Sequence, residues 1–273
     1  MRTVVTGDLG FIGSQLKKKL ESQNHIVFGL DNIYLDKGDW KDVLINFLSS
    51  SRPEVVFHVG ACSDTLEKNV NYMMKLNYES TKIISDYCAK NKIPLVYSSS
   101  AANYGTNNMH PSNLYGWSKY CAEDYVLNKG GVALRYFNVY GPGEHNKGKM
   151  ASVAYQMFLK KKSHDKVFLF PKGPRRDFVY INDVVSANLH AYENYSQVKE
   201  NYYHVGSGIA ESFEDMMKYM EIQYQYTTED KIPEGYQFFT CSDKNKWLPN
   251  WTPCYNLEKG IKDYKKYLGD YKC

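Results

Sequence analysis

Gly7-Asp8-Leu9-Gly10-Phe11-Ile12-Gly13 is the stretch whose reading decides the fold. Before it, Arg2 to Thr6 reads as a buried β-strand; after it, Ser14 to Ser22 has helical spacing. Glycines at 7, 10 and 13 allow a tight turn, close approach of a pyrophosphate to the backbone, and close packing of helix on strand. The helix N-terminus adds unpaired N–H groups for the anion. This context predicts a dinucleotide site that includes Gly7, Gly10, Phe11, Ile12 and Gly13. A second strand, Ile26 to Leu30, ends at Asp31-Asn32. Asp31 stands 18 residues past Gly13, placed to accept hydrogen bonds from the adenine ribose, which favours NAD over NADP. Asn32 joins the expected cofactor set, and Lys37 reads as a solvated loop charge.

Outward from there, the chain is too short for a full third βα unit before a helix at 41–50. Glu54 to Val59 is the next strand, followed by Gly60-Ala61-Cys62-Ser63. Small residues at a strand end let a cofactor lie against the backbone, so Gly60, Ala61 and Ser63 are candidates. Asn69 to Lys90 reads as one long helix, with Asn77 either a cofactor contact or a polar surface position. Pro94 to Tyr97 is a strand running into Ser98-Ser99-Ser100, where the Ser100 hydroxyl can bond a substrate oxygen. The helix from Tyr115 to Asn128 puts Tyr115 and Lys119 four residues apart on one face. An ammonium beside a phenol favours the phenolate, by about 4 kcal/mol at ~4 Å and an effective dielectric of ~20. That pairing makes a tyrosine a proton-transfer group. Val132 to Phe137 is a further strand, and the alternation of strands and helices argues a parallel, doubly wound sheet.

After Gly143 the texture changes. Glu144 to Lys149 is a polar loop carrying His145, Lys147 and Lys149, and Met150 to Lys162 is an amphipathic helix. Phe168 to Pro171 is a short strand, Arg175 to Asp183 leads into another helix, and Tyr202 to Val205 reads as a returning strand. Helices are expected near Phe213 to Met220 and Leu257 to Leu268. The expected organisation is a dinucleotide-binding domain over 1–140, with 177–205 returning to it. Residues 141–176 and 206–273 form the substrate-binding lobe.

Composition sets bounds on the rest. Hydrophobic content of 43% and charged content of 23% fit a globular chain of 273 residues. A net charge of +4, from 34 basic and 30 acidic residues, makes no case for nucleic acid. Six scattered cysteines lack C-x-x-C spacing, so neither zinc nor a disulfide framework is suggested, and no metal is expected. Met1 leads straight into an apolar strand, so no signal peptide is expected. No apolar run is long enough to span a bilayer, which leaves a cytoplasmic protein as the expectation.

With the glycine motif, Ser100, Tyr115 and Lys119 in order, the chain resembles the extended short-chain dehydrogenase/reductase superfamily over nearly its full length. The resemblance implies a doubly wound parallel Rossmann sheet with a smaller C-terminal substrate-binding lobe. It implies Tyr115 as the acid/base and Lys119 as the group that lowers its pKa and holds the nicotinamide ribose. Ser100 would orient a sugar-nucleotide substrate. Further stretches are similar to the ADP-L-glycero-D-manno-heptose 6-epimerase family: Gly60-Ala61-Cys62-Ser63, Phe137-Asn138-Val139-Tyr140-Gly141-Pro142, Lys147-Gly148 ahead of Met150-Ala151-Ser152, and Arg176-Asp177-Phe178. That likeness implies Lys147 as a second acid/base facing Tyr115. It adds Val139 to the cofactor contacts and places Asn138, Phe170, Arg176 and Tyr236 at the substrate; Lys149, in the same loop as Lys147, is expected to help bind the substrate's diphosphate or sugar. It further implies NAD or NADP held tightly, because each turnover regenerates it, and assembly into a homo-oligomer through the helices at 69–90 and 115–128.

Departures from the family pattern bear on the sugar pocket. The chain is shortened after Asp31, between Ser100 and Tyr115, and before Arg176. Asn146, Lys149 and Gln156 stand where the family has histidine, serine and histidine. Rival readings are a UDP-hexose 4-epimerase, a dehydratase or reductase of the superfamily, and a non-catalytic nucleotide-binding protein. Ala101-Ala102 stand where the dehydratases carry an acidic pair, and the Tyr/Lys pair is one that non-catalytic relatives usually lose.

Overall fold

The computed structural model of the protein describes residues 1–31, 38–106, 109–233 and 236–270, so Asn32 and Lys37 lie outside the described residues. Its strands are β1 (Arg2–Thr6), β2 (Ile26–Leu30), β3 (Val55–His58), β4 (Leu95–Ser100), β5 (Val132–Tyr136), β6 (Asn138–Tyr140), β7 (Phe168–Leu169), β8 (Arg175–Tyr180), β9 (Tyr202–Val205), β10 (Ala210–Ser212) and β11 (Gln225–Tyr226). Its helices are α1 (Phe11–Ser22), α2 (Trp40–Ser51), α3 (Val70–Met74), α4 (Ser80–Asn91), α5 (Leu114–Asn128), α6 (Val153–Lys162), α7 (Ile181–Glu193), α8 (Tyr195–Val198), α9 (Phe213–Met220) and α10 (Leu257–Asp270).

Six strands form one parallel sheet in the order β2-β1-β3-β4-β5-β9. Strand neighbours along the sequence point to opposite faces. Val5, Val96 and Leu134 accordingly join the core beneath α1 and α7. Val4, Tyr97 and Ala133 join the core beneath α2, α4 and α5. Burial on both faces explains why neighbouring positions such as Val4 and Val5, or Val55 to Phe57, are apolar in succession rather than in alternation. The chain steps from β1 to β2 on one side, then crosses to β3 on the other. Doubly wound sheets bind ligands in the crevice opened by such a reversal, beyond the carboxyl ends of the strands.

A second, three-stranded sheet has the order β10-β8-β6, and β11 pairs with β7. Asn138 to Tyr140 therefore leaves the main sheet at once and pairs with Phe178 to Tyr180. The α9 helix starts on a capping box, Ser212 with Asp215.

The expected single helix over 69–90 is interrupted. Lys75–Glu79 is a π-helical turn between α3 and α4. Asn77 sits within it, 1% exposed, and its side chain is committed to other elements. Its Oδ1 accepts the Cys62 N–H at 2.7 Å, and its Nδ2 donates to the Cys62 carbonyl at 3.0 Å and the Ser118 hydroxyl at 2.9 Å. Holding that side chain against two elements displaces the local backbone ladder by one residue. The Ser80 and Thr81 hydroxyls bond the Leu76 and Asn77 carbonyls at 2.7 and 2.8 Å.

Candidate active site

The three glycines of the first turn carry different constraints. Gly7 has φ +66°, and a Cβ there would lie 2.6 Å from Gly60 Cα, so the turns after β1 and β3 touch. A Cβ on Gly13 would lie 2.1 Å from the Gly7 carbonyl oxygen, which leaves no room between helix and turn. A Cβ on Gly10 would meet only that same oxygen, at 3.2 Å, and Gly10 otherwise borders the cleft. Helix α1 has no acidic residue in its first turn and no side-chain cap, so its first N–H groups remain for an anion. Asp8, the one charge inside the turn, is buried and paired with Lys17 at 2.7 Å, which offsets its repulsion of a phosphate. The cradle fits a dinucleotide.

Around it lies a cavity of ≈ 470 Å³. Gly7, Gly10, Phe11, Ile12 and Gly13 border it, and Asp31 closes one end. Gly60, Ala61 and Ser63 form the wall from β3, while Tyr115 and Lys119 enter from α5 and Lys147 from the turn after Gly143. A second cavity of ≈ 480 Å³ adjoins it and is bordered by Ser100, Asn138, Val139 and Lys149. Ile12, Ser63, Tyr115 and Lys147 border both, so Tyr115 and Lys147 stand at the junction.

Burial governs the charges here. Lys119 is 3% exposed, and burial lowers its pKa to about 7 against the opposing pull of Glu123. Its Nζ lies 4.3 Å from the Tyr97 ring centroid. Burial raises the Tyr115 pKa, the Ser100 hydroxyl opposing that rise and the nearby Cys62 adding to it. Desolvation is the largest influence on both Tyr115 and Lys119. Lys147 is also lowered by burial, with Glu144 opposing, and its Nζ lies 5.2 Å from the Phe11 ring centroid.

Residues 3–206 match the model of the NAD dependent epimerase/dehydratase family. The chain belongs to that family. An ADP-L-glycero-D-manno-heptose-6-epimerase of Brachyspira hyodysenteriae is 36% identical over 310 aligned positions, covering 97% of each chain. The Helicobacter pylori protein of the same name superposes with a TM-score of 0.80 at 29% identity, over 98% of this chain and 96% of that one. A UDP-glucose 4-epimerase from Thermotoga maritima, solved with UDP-glucose, superposes with a TM-score of 0.86 at 26% identity, over 98% and 99%.

In this member of the epimerase/dehydratase family, some expected residues stand apart from the two cavities. Asn77 is behind the β3 wall, bonded to protein groups on each side. Arg176, Phe170 and Tyr236 form their own cluster. The Arg176 guanidinium lies 5.2 Å from the Tyr236 ring centroid and donates to the Gln237 carbonyl, and the Phe170 and Tyr236 rings are 5.1 Å apart. Phe213, 5.8 Å from that guanidinium, borders the second cavity and links the two. Thr240 donates to Asn138 Oδ1 at 3.2 Å.

Three buried residues that border neither cavity but bond elements that do were not singled out by the sequence. His58, at the end of β3, bonds Thr6 at 2.7 Å and Thr81 at 2.8 Å, and burial lowers its pKa to about 3. Thr81 gives its own proton to Asn77 O, so it accepts from Nε2–H and the neutral ring accepts from Thr6 through Nδ1. Glu123, one turn after Lys119, accepts from Ser99 at 2.6 Å and pairs with Arg135. Its spacing of four from Lys119 was the available signal. Glu144 is the third. Among the described residues no helix is long and apolar enough to cross a membrane.

Proposed function

We propose that the protein is an NAD(P)-dependent sugar-nucleotide epimerase of the ADP-L-glycero-D-manno-heptose 6-epimerase kind. One observation carries this: Tyr115 and Lys147 come from separate elements and border the junction of the two cavities. An epimerase handles a hydroxyl on both faces of a ketone, and a proton transfer needs contact within ~3.2 Å or one intervening water. Two groups on two elements meet that demand. Burial raises Tyr115 and lowers Lys147, which suits the phenol to give a proton and the amine to take one.

A bound nicotinamide supplies the reversible two-electron oxidation of the carbinol carbon. Gly7, Gly10 and Gly13 with the α1 N-terminus would hold its pyrophosphate, Asp31 the adenine ribose, and Lys119 the nicotinamide ribose. Asp31 favours NAD over NADP, and regeneration in each turnover favours a cofactor that stays bound. Ser100 orients the substrate hydroxyl, while Asn138 and Lys149 line the substrate side, with Phe170, Arg176 and Tyr236 beyond Phe213. Residues 1–140 with 177–205 would serve the cofactor, and 141–176 with 206–273 the substrate. The exposed Trp117 and Tyr120 on α5 offer the face for a second copy.

Incubation with ADP-L-glycero-D-manno-heptose, followed by NMR, should show the C6 epimer. Tyr115→Phe and Lys147→Met should each slow its formation by roughly 10²-fold while NAD still binds. A wild-type protein that interconverts UDP-glucose and its C4 epimer instead would favour the second reading, which rests on the likeness to the 4-epimerase structure.

A further inference from the structure

The turn that carries Lys147 touches Phe11, Thr65 and Gln156 at its later residues, but its densest hydrogen-bonded anchor is its first residue, Glu144. It runs from Glu144 to Met150, with Gly143 at φ +101° before it and Gly148 at φ +51° inside it. A Cβ on Gly148 would meet nothing within 4 Å, so packing does not impose glycine there and its positive φ does. Glu144, by contrast, is 0% exposed. Its Oε1 accepts from the Gly141 N–H at 3.3 Å, the Ser152 hydroxyl at 2.8 Å and the Tyr264 hydroxyl at 2.9 Å, and its Oε2 accepts from the Ser152 N–H at 2.6 Å. Ser152 caps α6, and Tyr264, itself 1% exposed, belongs to α10. One carboxylate thus gathers the strand end before the turn, the helix after it and the last described helix.

We propose that Glu144 is a positioning residue, which with Tyr264 fixes the Lys147 turn over the cleft. The proposal rests on Lys147 being the second acid/base. Glycines on both sides leave the turn's direction open, and a carboxylate held by four donors removes that freedom. Glu144 is also the group that opposes the lowering of Lys147 by burial. Tyr264 makes α10 part of the support for a side chain far from it in sequence.

The test is a double-mutant cycle on epimer formation from ADP-L-glycero-D-manno-heptose. Glu144→Gln should lower kcat by roughly 10²-fold, the cost of misplacing a reacting group by about 1 Å. KM should stay within about twofold, as for an interaction that acts in the transition state. In a Lys147→Met background the same substitution should cost nothing further, because its effect passes through the amine. Tyr264→Phe should act in the same direction and more weakly, and it decides the matter if Glu144→Gln does not fold. Equal losses in both backgrounds, or wild-type kcat in the variants, would overturn the proposal alone. A Lys147→Met enzyme at full rate would overturn the two-base reading and the proposal with it.

Discussion

Replacing Lys119 with methionine should stabilise the protein at neutral pH while ending its turnover. The ammonium is 3% exposed, and burial lowers its pKa from 10.5 to about 7. In the unfolded chain the group returns to about 10.4. Between those values the unfolded state holds a proton that the folded state has released, so stability rises with pH across that window. The penalty is fully present below about pH 7 and gone above about pH 10. Each tenfold change in proton affinity is worth about 1.4 kcal/mol, so the cost at neutral pH is about 4 kcal/mol. Loss of the contact between the ammonium and the Tyr97 ring subtracts about 0.5–2 kcal/mol from the gain. Methionine fills a similar linear volume with no charge. Urea unfolding of both proteins at several pH values from 7 to 10, roughly the span of the two pKa values, reads the difference directly. The variant should be more stable by about 2–3 kcal/mol at the low end, with the gap closing as pH rises. A gap that does not change with pH, or a variant weaker than wild type at pH 7, would show that Lys119 is not carried as a buried, desolvated cation.

Gly10→Val should fold and lose NAD binding, because the β-carbon meets only one backbone oxygen and the branched carbons project into the cleft. Calorimetry should show wild type binding NAD more tightly than NADP, and unchanged affinity in a folded variant would remove the cradle from the cofactor site. Trp117→Glu should turn an oligomer into a monomer in sedimentation; a wild-type protein that already sediments at its chain mass of 31.6 kDa would refute that contact face.

Much of this architecture was legible because it depends on neighbours in sequence. A glycine turn between strand and helix is a local backbone requirement, and Gly7, Gly10 and Gly13 occupy it as their spacing predicts. Tyr115 and Lys119 share a face because helical periodicity puts them there, and both border the cavity. The alternation of strands and helices implied a doubly wound sheet, and the sheet is covered on both faces.

Other features depend on what lies across a contact. The helix over 69–90 has good local spacing, yet Asn77 interrupts it because its partners are Cys62 and Ser118, on other elements. Glu144 looks like one more charge in a polar loop until Tyr264, 120 residues on, donates to it. His58 and Glu123 are likewise given meaning by Thr6, Thr81, Ser99 and Arg135. The Tyr115 pKa depends on tertiary packing in the same way. Residue spacing shows that an ammonium is near a phenol, but desolvation is set by every element packed around the pair, and burial opposes charge on either group.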